Sequence, residues 1–151
     1  MTELKEQLRS DLTAAMNARD EVRTRTLRMA LTAVTHEEVA GKTVRDLTDA
    51  DVLRLLTKEA KRRREAAEAF AAAGRAEQAA AERQEGAILA GYLPAQLSDD
   101  ELAVLVAAAV KDTGATGMAA MGQVMRAVTA QVAGRADGAR VAAEVRRALA
   151  G

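Results

Sequence analysis

The sequence predicts an all-α protein: an N-terminal helical domain with a long helical hairpin, followed by a smaller three-helix domain. Three observations lead there. Apolar residues recur every three or four positions along almost the whole chain, and no segment alternates as a strand does. Hydrophobic residues make up 49% of the 151 positions while aromatics are only 1%, and alanine supplies the largest share. Alanine is the best helix former, so local propensity carries much of the specification here. Finally, the only tyrosine and the only proline stand together in GYLPAQLSDDEL, where a helix stop is followed by a helix start.

Thr2 is placed to cap the first helix, in which Leu4, Leu8, Leu12 and Met16 repeat every four residues. Asn17-Ala18-Arg19-Asp20 breaks it, and Asp20 caps the second. That helix carries Leu27, Leu31 and Val34 on one stripe with Val22, Met29 and Ala33 beside it, broad enough for more than one neighbour. Gly41-Lys42-Thr43 lies in a loop. Thr48, with Asp49 and Asp51 in the first turn, starts a third helix that runs to about Ala73 and stops at Gly74. The fourth spans roughly Ala76 to Ala90. Pro94 ends that stretch and pushes Leu93 toward extended geometry. Ser98-Asp99-Asp100-Glu101 then forms a capping box. We therefore expect an N-terminal domain over 1–92, a linker over 93–98 and a second domain over 99–151. Tyr92 is expected to pack its ring across the joint, with a binding role as the alternative. The last three helices cover about Asp99 to Lys111, Met118 to Val132, and Asp137 onward, where Val141, Val145 and Leu149 repeat every four residues.

Charge and cysteine content narrow the functions. With 22 basic and 22 acidic residues the net charge is zero, which argues against a general polyanion binder but leaves room for a local basic patch. There is no cysteine, so disulfides, thiolate metal sites and cysteine nucleophiles are excluded, in keeping with a cytoplasmic location. No signal peptide or membrane-spanning run is read from the sequence.

On a helical wheel Arg54, Lys58, Lys61 and Arg62 fall in one narrow arc, opposite Val52, Leu56, Ala60, Ala67 and Phe70. Two readings of this basic stripe compete: a row facing phosphates, and a solvated face balanced by Glu59, Glu65 and Glu68. Arg63 sits in the middle of the apolar arc. If the third and fourth helices fold back at Gly74, Arg63 and Glu85 lie equally far from the turn. We expect an inward ion pair between them, shared with Glu82, that fixes register more than it adds stability. Enzyme signatures fail. Ala40-Gly41-Lys42-Thr43 has His36 where a phosphate-binding loop needs glycine, and a helix where it needs a strand. His36 is the only histidine, which leaves neither a zinc motif nor a persuasive triad with Ser10 or Ser98. The methionines of MAAMGQVM read as core. No metal and no cofactor is expected.

The runs AGRAEQAAAERQEGAILAGYLPAQLSDDEL, MAAMGQVMRAV and GRADGARV, with KEAKRRREAAEAF before them, resemble the YqeY family over nearly the whole chain. The C-terminal part is similar to the tail domain of the GatB subunit of glutamine-dependent aspartyl/glutamyl-tRNA amidotransferase, through Met121-Gly122-Gln123-Val124-Met125 and Gly134-Arg135-Ala136-Asp137-Gly138. In that enzyme the tail contacts transfer RNA, and the chemistry lies in other domains with no counterpart here. The resemblance implies a helical domain joined to a three-helix tail, in a tRNA context. One position departs from it: Gln78 stands after AGR where the family tends to have an apolar residue.

Three functions follow. The first is a non-catalytic adaptor for transfer RNA or for amidotransferase components, contacting them through Gln123, Arg126, Arg135 and Arg140 together with the basic stripe. The second is an accessory subunit or enzyme in carbon–nitrogen ligation with glutamine as amido-N-donor, for which the chain shows no catalytic residues of its own. The third is a protein-interaction module with no RNA role, favoured by the zero net charge.

Overall fold

The computed structural model of the chain describes residues 2–132 and 134–151, and the described residues form seven α-helices. They are α1 (Glu3–Asn17), α2 (Glu21–Val39), α3 (Asp49–Ala72), α4 (Ala76–Ala90), α5 (Asp99–Thr113), α6 (Met121–Val132) and α7 (Gly138–Ala150). A short 3₁₀ turn, Met118–Ala120, leads into α6, so the expected start at Met118 is not α-helical. No strand occurs among the described residues, and no single helix is long and apolar enough to cross a membrane.

Helix starts follow local chemistry. The side chains of Thr2, Asp20, Thr48, Ser98 and Asp137 each accept a hydrogen bond from an amide of the first turn. Thr48 with Asp51, and Ser98 with Glu101, complete reciprocal capping boxes. In the Thr48 box, hydrogen bonds from the Thr48 amide and hydroxyl hold the Asp51 carboxyl below the usual carboxylate range. The Ser98 amide and hydroxyl do the same for Glu101. The α3 end is equally local: Arg75 N–H donates to Phe70 O at 2.8 Å and Gly74 N–H to Ala71 O at 3.1 Å, with Gly74 at φ +75°.

The chain divides into two compact units, one reaching to Leu93 and the other Pro94–Gly151. In the first, α1 packs on α2 and α3 on α4 as antiparallel pairs, with further contact of α2 to α3 and α4 and of α1 to α3. The core holds Leu8, Ala15, Leu27, Ala30, Val34, Leu47, Val52, Leu56 and Leu89. In the second unit α5, α6 and α7 pack mutually around Leu97, Leu102, Val106, Ala109, Val124, Val128, Val132, Val141 and Val145.

Several expectations shift by one position. Leu8 is buried, but Met16 is 48% exposed and Ala15 takes the inward place. Leu149 is only half-buried, while Val141 and Val145 are in the core. The cause is geometric: a four-residue step turns about 400°, so a strict i+4 stripe slides roughly 40° per step off a straight interface. The same drift leaves Gln78 exposed and puts Ala79 against α3, so the departure at Gln78 does not touch the hairpin packing. In α6 the buried residues are the valines, whereas Met121 and Met125 pack at the margin and Met118 is exposed.

Candidate functional site

The basic stripe follows from helix periodicity. With Val52 and Leu56 buried, Arg54, Lys58, Lys61 and Arg62 all stand on the exposed side of α3. Arg54 pairs with Asp51, Arg62 Nη1 lies 3.1 Å from Glu59 Oε1, and Lys61 Nζ lies 4.0 Å from Glu65 Oε1. Such exposed pairs within one helix are screened by solvent and contribute little to stability.

Arg63 lies on the other side of the same helix, its side chain 16% exposed, with Nε 3.2 Å from Glu85 Oε2. Glu82 Oε2 is 3.7 Å from that nitrogen and Glu59 Oε2 is 3.6 Å from Nη2. A further partner arrives from α2: Arg25 Nε donates to Glu85 Oε1 at 3.1 Å. Glu85 thus bridges two arginines from two different helices. The helices approach closely here, since a Cβ built on Gly86 would meet Arg63 Cβ at 3.4 Å. That contact gives this mid-helix glycine a packing reason despite its low helix propensity.

The tail residues separate into two groups. Gln123 and Arg126 are exposed on α6, and the Arg126 guanidinium runs back toward Gly122. Arg135 and Arg140 are half-buried and bond to backbone. Arg135 Nε donates to Ala95 O at 2.9 Å, and Arg140 Nη2 donates to Leu97 O at 2.8 Å and to Asp99 Oδ1 at 2.9 Å. Leu97 N–H donates in return to Arg135 O at 2.7 Å, and Gln96 Nε2 to Gly134 O at 3.3 Å.

With this geometry in view, the model of the Yqey-like protein family matches residues 5–149. The chain belongs to the YqeY family. A search of curated proteins gives no match.

In this YqeY protein the PAQLS and GRADG segments, some 40 residues apart, are partners. The extended run 95–97 presents carbonyls that no helix satisfies, and the turn at 134–140 supplies donors to them. The expected 93–98 linker is therefore not free along its length. Leu93 packs on the first unit's core, and Leu97, 5% exposed, belongs to the second's. Tyr92 packs against the first core too, and its hydroxyl donates to Asp11 of α1. Burial, then the hydrogen bond and charge of Asp11, push the phenol well above its ordinary value of 10. The ring is thus anchored on the first unit.

The expected sites left out the outward face of α2. Met29 and Ala33 floor an open groove of about 700 Å³, and Arg28, Thr32 and His36 form its edge. Breadth of the apolar stripe was the available signal, but periodicity does not say which side a neighbour covers. Among the described residues no group of three or more His, Cys, Asp or Glu is arranged to hold a metal ion.

Proposed function

We propose that this YqeY protein is a non-catalytic adaptor that engages transfer RNA, or tRNA-amidotransferase components that handle it, and works in the cytoplasm. The observation that carries the reading is the α3 stripe. Four cations share one exposed face, and the carboxylates paired with Arg54, Lys61 and Arg62 lie on the same helix, where they compete weakly with phosphate. The likeness of the tail to that of the GatB subunit supports it, with Arg126 and Gln123 as the exposed tail contacts. Arg135 and Arg140 act one step back, by holding the 95–99 segment in place. A protein-interaction role without RNA is the second reading, favoured by the balance of 22 basic and 22 acidic residues. Accessory service to glutamine-dependent carbon–nitrogen ligation is compatible with either.

Binding of transfer RNA to the full chain, measured across a salt series, tests the proposal. Phosphate-led binding weakens steeply with salt, and each lost contact lowers the log–log slope by roughly 0.7–0.9. Lys58→Ala and Arg62→Ala are expected to flatten the slope, and Arg126→Ala to do so by about one contact. No binding at about 50 mM salt would end the RNA reading.

A further inference from the structure

We propose that the outward face of α2 docks an amphipathic helix of a protein partner, one that carries a carboxylate within its apolar stripe. Arg28, Thr32 and His36, spaced by four, form a ridge that is shared by two open grooves. The groove of about 700 Å³ has α3 on its far wall, through Glu59 and Arg63. The groove of about 500 Å³ has Leu12 of α1 on its far wall and Leu31 and Val39 along α2. A ridge with a groove on either side is the surface that the side-chain rows of another helix fit. The 19 residues of α2 give it a length near 28 Å, which suits a helix better than a small molecule. Met29 in the larger groove and Met16, which accepts a hydrogen bond from Arg28, are partly exposed and flexible, and such side chains reshape to a partner.

The charge pattern selects the partner. Arg25 is engaged by Glu85, and Arg63 by Glu85 and Glu59. Arg28 stands where the two grooves meet and reaches no carboxylate among the described residues; its hydrogen bond goes to Met16 Sδ at 3.7 Å. Glu21 lines the larger groove two turns away. A fork-shaped cation set in mostly apolar walls is matched by a carboxylate in mostly apolar surroundings. Nucleic acid fits less well, because a phosphate chain gains from several available cations in a row.

The test uses the full chain and a fluorescent model peptide of about 18 residues, long enough to be helical. The peptide has leucines at i, i+3, i+4 and i+7 and one central glutamate on that face; a second peptide has glutamine there. Anisotropy is expected to show the glutamate peptide binding about tenfold tighter. Arg28→Ala should erase that preference, Met29→Glu should weaken both peptides, and Val104→Glu, on exposed α5 surface, should change neither. Absence of binding at roughly millimolar peptide overturns the proposal. So does a preference that survives Arg28→Ala. Loss of transfer RNA binding in Arg28→Ala with peptide binding unchanged would assign the face to RNA instead. The α3 stripe is probed by its own substitutions, so failure of one reading leaves the other standing.

Discussion

The two units of this protein use arginine in opposite ways. In the first, Arg63 lies between α3 and α4 and meets three carboxylates, with Arg25 joining Glu85 from α2. In the second the core is aliphatic throughout, and Arg135 and Arg140 sit at its edge, bonded to backbone carbonyls. The difference reflects what each unit lacks. The α3–α4 hairpin is long and rich in alanine, so its apolar surface offers few distinct knobs to set register, and an ion pair at one level does so. The three short helices interlock through valine and leucine and need no such device. Their difficulty is the extended segment that enters them, whose carbonyls require donors.

The largest expected effect breaks the first half of this comparison. Glu85→Ala removes the carboxylate that Arg63 and Arg25 share, and should cost about 3 kcal/mol in chemical denaturation, the low end for breaking a buried pair, because Arg63 keeps Glu59 and Glu82. The double replacement Arg63→Met with Glu85→Leu should recover most of that loss, since a packed apolar pair of similar volume is often neutral. If Glu85→Ala costs less than about 1 kcal/mol, the network does not set the register.

Arg140→Ala comes next. It removes a charged donor from Leu97 O and should cost about 1.5–3 kcal/mol, with faster amide exchange at Leu97 as the local reading. The same substitution should leave amide exchange in α3 and α4 unchanged.

Ser98→Ala removes a cap from α5 and should cost about 1 kcal/mol, seen as a lower Tm of the second unit. Its partner gives a pH signature. The folded state holds the Glu101 carboxyl below its ordinary 4.5, so its contribution is complete above that value and is lost as pH falls through the depressed one. A Tm series from about pH 6 to about pH 3 should decline, and Glu101→Gln should remove this part of the decline.

Smallest of all is Met16→Ala, expected within about 0.5 kcal/mol because Ala15, not Met16, faces the core. A loss of 2 kcal/mol or more, of the size seen for buried residues, would restore Met16 to the core.

Much of the fold was legible because capping is local. Thr2, Asp20, Thr48, Ser98 and Asp137 each act within three residues of themselves, so their work is visible in a line of text. Hairpin symmetry about Gly74 sets Arg63 opposite Glu85, and the structure puts them 3.2 Å apart. Arg25 was not foreseen as a partner of Glu85, because the two are 60 residues apart and no turn relates them. Nor was it legible that Arg135 and Arg140 would spend donors on carbonyls at Ala95 and Leu97, since a guanidinium reads the same whether it meets a phosphate or a peptide group.

By itself the sequence determined the helices, their order and their ends, since propensity, caps and glycine or proline stops act over a few residues. Tertiary structure alone decided that Ala15 and not Met16 turns inward, and that Arg25, Arg135 and Arg140 are consumed internally. It also decided that the Arg28 ridge of α2 stays uncovered. These depend on side chains that meet across long stretches of chain, and on a 3.6-residue turn that a four-residue spacing does not quite match.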